Sequence, residues 1–305
     1  MSDKGRAYLA WAAVCVIWGT TYAAIRICLE TIPPFLMSGF RWTAAGGLIL
    51  VALRIRGHRP PPPASWKQLA ILGVLMVGLG NGGVVWAEQT LPSGLTAVVV
   101  ATAPFWMVGI EALAPGGEPL TTGRLIGLVI GFVGIVFLVG PDIRFSGDTG
   151  FLGGVIAAQI ACAGWALGSA YIRRRPKDEH VMSTGALQML FGGLFMFAAG
   201  TAENEWRRLA FSPRTAQAWL YLVLVGSIGG FSSYLYALRY LPVSTVSFYT
   251  YVNPVLAVVL GTWLFEEPLT WRLGLAGAVV LVGMTIVQRR SEPRSLRGRA
   301  AVRSL

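Results

Sequence analysis

Two segments of this chain echo each other about 150 residues apart, and the echo limits the folds open to it more than any other feature. Leu91-Pro92 opens a run through Thr96, Val98 and Ala101 to Pro104, and Leu241-Pro242 opens another through Val246 and Tyr249 to Pro254. In each, an alanine stands four residues before the leucine (Ala87, Ala237), and a second proline follows twelve residues after the first. Each half also carries a Glu-Pro-Leu-Thr box, Glu118 to Thr121 and Glu267 to Thr270. In a chain of 305 residues this is a tandem duplication of nearly the whole length, and missing it would mis-assign the fold.

The duplicated unit is apolar. Hydrophobic residues make up 54% of the chain and charged residues 13%, where soluble domains carry about a quarter charged. The charges cluster, and the gaps between clusters reach the ~20 apolar residues that a bilayer-crossing helix needs. A soluble helical bundle would show a polar stripe along each helix, and few appear. The sequence predicts an all-α polytopic membrane protein with ten spans: 8–28, 33–53, 67–89, 94–114, 123–139, 151–172, 182–200, 216–238, 244–265 and 271–288. Thr31, Ser93 and Ser244 are placed to cap the second, fourth and ninth helices, and Pro33 and Pro34 suit a first helical turn. Pro60 to Pro63 forms a stiff stretch suited to a water-exposed loop.

With a cytoplasmic N-terminus, 18 of the 25 lysines and arginines fall on that side and 5 on the other, Arg26 and Arg41 lying inside spans. The positive-inside bias therefore puts both termini in the cytoplasm. It also accounts for the formal charge of +11 without nucleic acid as a partner. Because five is odd, two five-span halves on one chain cannot share an orientation, so the second copy is inverted. Inverted repeats build secondary transporters, with the substrate bound near mid-membrane at the repeat interface. The expected division is a first repeat over 1–143, a second over 144–290 and a basic cytoplasmic tail over 291–305.

Ile17-Trp18-Gly19, Leu91-Pro92-Ser93-Gly94-Leu95-Thr96-Ala97, Pro104 and Gly117-Glu118-Pro119-Leu120-Thr121 together resemble the EamA-type drug/metabolite transporters. The second half repeats the pattern less faithfully in Leu241-Pro242-Val243-Ser244, Pro254 and Phe265 to Thr270. The resemblance covers roughly residues 8–288. It implies a basket of ten helices, with helices 1, 3, 4, 6, 8 and 9 around a central cavity. Helices 5 and 10 would stand behind it or at a homodimer contact. It further implies export or exchange of amino acids, other metabolites or drugs, and a bacterial inner membrane as the location.

Several residues are candidates for carrying transport. Arg41 lies about 12 Å inside its span at 1.5 Å per residue, where a cation costs at least a few kcal/mol and faces a cavity or a partner. It can anchor a carboxylate on the cargo; the alternative is a structural ion pair or a snorkelling side chain. At the repeat offset of 147, Arg41 matches Gln188, Arg26 matches Arg173 and Trp18 matches Trp165. Arg26, near its span end, is expected to snorkel. Trp18 and Trp165, both central, suit cavity walls that stack on a ring or hold a cation. Asn81, within Gly78 to Gly83, offers a donor and an acceptor. Tyr22, Tyr249 and Asn253 add polar tips, the last two sharing a helix face. Pro104 and Pro254 are expected to kink helices 4 and 9 in mid-membrane and to act as gating points. Glu88 and Glu111 are candidates for coupling to protons, and Glu118 and Glu267 for helix capping.

Other chemistry finds little support. There is no glycine-rich phosphate loop ending in Lys-Ser/Thr, and His58 and His180 both fall in loops, far apart and without ligand spacing. Cys15, Cys28 and Cys162 lie in apolar runs and read as small buried hydrophobes. No catalytic residue, metal or cofactor is expected. The expected partners are a small-molecule substrate and the lipid bilayer. The reading is a secondary transporter of small amphipathic metabolites working by alternating access. The alternatives are a non-transporting membrane receptor and, less in keeping with the residues, an integral-membrane lipid-modifying enzyme.

Overall fold

Proline and loop punctuation cuts the chain into helices at the expected places. The computed structural model describes residues 2–114, 120–146, 149–173, 180–241, 246 and 249–289; Glu118, Pro242, Ser244 and the basic tail lie outside them. Among the described residues there are ten helical spans. The first half comprises α1 (Asp3–Cys28), α2 (Pro34–Ile55), α3 (Pro63–Ala87), α4 (Ser93–Leu113) and α5 (Thr122–Ser146). The second comprises α6 (Thr149–Arg173), α7 (Val181–Ala202), α8 (213–240), α9 (Tyr249–Phe265) and α10 (Trp271–Arg289). A short 3-10 turn, Glu205–Arg208, precedes α8. Six of the ten, α1 to α4, α6 and α7, are each long and apolar enough to cross a bilayer on length and composition alone.

The packing repeats the sequence duplication. α2 lies along α7, and α5 lies along α10. α1 packs on α8 and α9, while its counterpart α6 packs on α3 and α4. Exchanging the halves maps each pairing onto its partner, as an inverted pair of five-helix units requires. Close crossings rest on glycine: a Cβ on Gly46 of α2 would stand 2.5 Å from the Ala186 carbonyl of α7. One apolar core gathers Val98, Val99 and Phe105 of α4 with Ala158 of α6 and Val280 of α10.

Three spans depart from a regular α-helix. α3 is π-helical over Gly73–Asn81, and α8 is π-helical over Leu222–Gly229; the two segments occupy equivalent places in the repeats. α4 is broken into Ser93–Val100 and Ala103–Leu113, with Pro104 in the first turn of the second piece. The expected kink in a continuous helix 4 is thus an interruption, whereas Pro254 sits inside the unbroken α9. The two prolines are equivalent in sequence but not in local structure. Pro104 lacks the N–H that would bond to the Val100 carbonyl, and the Cys162 thiol donates to that carbonyl at 3.6 Å instead.

The expected caps are also replaced. Neither Thr31 nor Ser93 caps by its side chain; the N-cap positions of α2 and α4 are Pro33 and Pro92. Carboxylates from the other half do the work. Glu205 accepts from the N–H groups of Phe35 and Leu36 at 3.3 and 2.8 Å. Glu267 accepts from Ser93 N–H (2.8 Å), Ser93 Oγ (2.9 Å) and Gly94 N–H (3.0 Å). A carboxylate at a helix N-terminus meets both orphan donors and the positive end of the dipole. Glu267 therefore caps, as the box suggested, but on α4 of the opposite repeat.

Candidate functional site

The central feature is a cavity of about 180 Å³ reached by eight of the ten helices, α5 and α10 standing outside it. Helices 2 and 7 line it as well as the six expected, and they do so through the repeat-equivalent residues Arg41 and Gln188. Trp18, Tyr22, Asn81, Trp165, Tyr249 and Asn253 line the same cavity, so all eight candidate cavity residues converge there. Pro254 also reaches it, while α4 contributes Ala101 and Ala103 at its break rather than Pro104 itself. The wall is otherwise mostly apolar, including Met76, Val84 and Phe231.

Arg41 is 3% exposed, so it does not snorkel. Its Nε donates to Ser227 Oγ at 2.9 Å, and its guanidinium carbon stands 4.6 Å from the centre of the neighbouring Trp42 ring. The serine and the indole hold the guanidinium, and Nη1 is left buried without a hydrogen-bond partner. Ser227, which holds the guanidinium, went unflagged in the sequence. The signal was available: it is a lone polar residue in an apolar, glycine-rich run, as Asn81 is in the other half.

The aromatic wall is anchored by backbone that the π-turns release. A π-helix bonds i to i+5 and leaves wider turns; the Gly226 carbonyl in α8 accepts from Trp18 Nε1 at 3.2 Å. The Trp18 ring meets Tyr249 edge-on with centroids 4.9 Å apart, and Tyr234 at 5.3 Å. Trp165, across the pseudo-symmetry, packs beside Gly80 in the π-segment of α3. Asn253 turns its amide nitrogen to the carbonyls of Cys15 and Tyr249, at 3.1 and 3.0 Å, which ties α9 to α1.

A network missed in the sequence supports the break in α4. Gln159 of α6 accepts from Trp106 Nε1 at 2.8 Å and donates to Thr102 Oγ1 at 3.1 Å, and Thr102 donates to the Val99 carbonyl at 2.7 Å. Polar groups freed at mid-membrane must be met by protein, and these residues meet them. Cys15, Cys28 and Cys162 are free and buried.

The remaining candidates fall elsewhere. Glu88 is fully buried just beyond α3, at the head of a second, vestibule-like cavity of about 520 Å³. Arg26, expected to snorkel, instead donates from Nη1 to the Glu88 backbone carbonyl at 3.0 Å. Glu111 sits half-buried on α4 and lines neither cavity. His58 and His180, expected to lie far apart, instead stack with ring centroids 4.7 Å apart. Among the described residues no group of three or more histidine, cysteine or acidic side chains could hold a metal ion.

Comparison with known proteins agrees with this architecture. A solved crystal structure superposes with a TM-score of 0.62 at 21% identity, covering 95% of this chain and 99% of the other, which speaks to the fold. The Escherichia coli protein named "Uncharacterized inner membrane transporter YedA" is 37% identical over 90% of this chain and 88% of its own length. The Bacillus subtilis protein named "Uncharacterized transporter YvbV" is 26% identical over 92% of this chain and 90% of its own. The family model described as the EamA-like transporter family matches twice, over residues 5–140 and 152–289. The chain belongs to the EamA-like transporter family and is a polytopic membrane transporter built from two copies of that family's unit.

Proposed function

We propose that this protein moves small amphipathic metabolites, amino acids among them, across a bacterial inner membrane by alternating access to the central cavity. The observation that carries the reading is Arg41. A buried guanidinium with an unpartnered Nη1, set in an apolar and aromatic wall, matches a cargo with a carboxylate at one end and a hydrophobic body at the other. Trp18, Tyr22, Trp165 and Tyr249 would hold the body, and Asn81, Gln188 and Asn253 would meet remaining polar groups. Pro104 and Pro254 would mark where α4 and α9 bend as access changes sides. Both termini would face the cytoplasm, by the bias of basic residues.

The test is reconstitution in liposomes, with counterflow of radiolabelled L-phenylalanine and of a cationic dye of similar size. Wild type is expected to exchange phenylalanine. Arg41→Gln should depress phenylalanine movement far more than that of the dye. Equal loss for both cargoes would remove the anchor role, and no movement of either would count against the transport reading.

A further inference from the structure

Glu88 occupies an unusual place between the two cavities. Val84, one helical turn before it, lines the central cavity, while Glu88 lines the vestibule. α1 shows the same step, with Tyr22 on the cavity and Arg26 four residues later on the vestibule. Residues four apart share a helix face, so the wall between the two spaces is one turn thick, about 5.4 Å of helix. Glu88 is 0% exposed, and neither of its carboxylate oxygens has a hydrogen-bond partner.

An unpaired carboxylate anion in such a place costs several kcal/mol, and the nearby cations do not bond to it. Arg26 gives its Nη1 to the Glu88 carbonyl rather than to the carboxyl. The charged and titratable groups within electrostatic reach are Tyr22, Arg26 and Cys28 on α1, Arg41 on α2 and Glu267 before α10. Arg208 and Glu30 also line the vestibule, Glu30 paired with Arg214 at 3.2 Å. The buried carboxyl thus borders the vestibule, whose lining includes Arg26, Glu30 and Arg208, and has Arg41 of the cargo cavity within electrostatic reach.

We infer that Glu88 is the binding site for a coupling proton, loaded through the vestibule and carried together with cargo held at Arg41. The inference rests on the transport reading above. Protonated, Glu88 is neutral and leaves the positive field of Arg41 intact for an anionic cargo group. Deprotonated, it competes with that group for the same field. Proton and cargo thereby act on a common charge across one helical turn. Intramembrane carboxyls near a water-filled space serve proton relays in this manner.

Two measurements on the full-length protein in proteoliposomes test this. Dicyclohexylcarbodiimide modifies protonated carboxyls in apolar surroundings, and mass spectrometry locates the adduct. Glu88 is expected to be labelled at acidic pH and to lose labelling as pH rises; no labelling of Glu88 at any pH would overturn the proposal. Uptake of radiolabelled L-phenylalanine is then compared with and without a pH gradient. In wild type the gradient should change uptake, and in Glu88→Gln the ratio should fall to one. A ratio in Glu88→Gln equal to that of wild type would also overturn it. If wild type moves no phenylalanine, the transport reading loses its support with that probe, while the labelling still decides the proton site.

Discussion

Removing the Glu267 carboxylate should loosen the start of α4 by an amount the structure lets one work out. Glu267 accepts three hydrogen bonds, at 2.8, 2.9 and 3.0 Å, from Ser93 N–H, Ser93 Oγ and Gly94 N–H. Bonds to a charged acceptor are worth about 1.5–3 kcal/mol each when buried, but Glu267 is only half-buried and sits in a loop. With that discount, and with caps lying at the ~1–2 kcal/mol level, Glu267→Ala should cost about 2–3 kcal/mol. For a chain of this size that is a fall in Tm of roughly 5 °C, read by intrinsic fluorescence in detergent. Glu267→Gln retains one acceptor oxygen and should lose about half as much. Gly261→Ala should act in the same direction, because its new methyl would intrude on the Glu267 carboxylate. Ser93→Ala alone removes one bond, about 1 kcal/mol, and should add almost nothing once Glu267 is gone. A Tm for Glu267→Ala within ~1 °C of wild type, or full additivity with Ser93→Ala, would refute the capping argument and with it the cross-repeat latch.

Other outcomes follow from named contacts. Trp18→Phe deletes the bond to the Gly226 carbonyl and should cost about 1 kcal/mol in thermal unfolding. Cys162→Ala should destabilise by up to about 1 kcal/mol by stripping the Val100 carbonyl of its donor. Pro104→Ala, which restores a backbone N–H to that carbonyl, should abolish the effect in the double variant. Glu205 is 1% exposed, and burial pushes its carboxyl above the ordinary range despite the Phe35 and Leu36 N–H groups that favour the anion. Its contribution to stability is thus full below the unfolded carboxyl value of about 4.3 and is lost as pH rises through the higher folded value. Unfolding followed from pH 4 upward should show wild type losing stability relative to Glu205→Gln across that window, and parallel curves would contradict the assignment.

The ten spans were legible because apolar length and proline punctuation are local properties of the chain. The converging cavity residues were legible because a polar or aromatic side chain in mid-membrane has few other places to go, and the repeat offset paired Arg41 with Gln188 and Trp18 with Trp165. What resisted reading depends on contacts between distant segments. Whether Thr31 or Glu205 satisfies the first turn of α2 is decided by where the α7–α8 loop lands, more than 160 residues away. Pro104 and Pro254 look alike in sequence, yet one breaks its helix and the other does not, because Gln159, Thr102 and Cys162 are present to satisfy the broken turn of α4. Arg26 lay near enough to a span end to suggest lipid headgroups, and only the folded chain puts the Glu88 carbonyl within its reach. The resemblance left α2 and α7 off the cavity wall, although Arg41 and Gln188 on those two helices already pointed to it.

The matched π-segments of α3 and α8 have a mechanical corollary. Each stores surplus backbone within an otherwise ordinary spiral, and one residue corresponds to about 100° of rotation at 3.6 residues per turn. Sliding that surplus along α3 would swivel its far end, Val84 and Glu88 included, while the near end stays clamped against α7. Doing the same in α8 would withdraw the carbonyl that holds Trp18 and the hydroxyl that steadies Arg41. Two such swivels, pointing opposite ways through the bilayer, would reshape the cavity from either side without unwinding a single span.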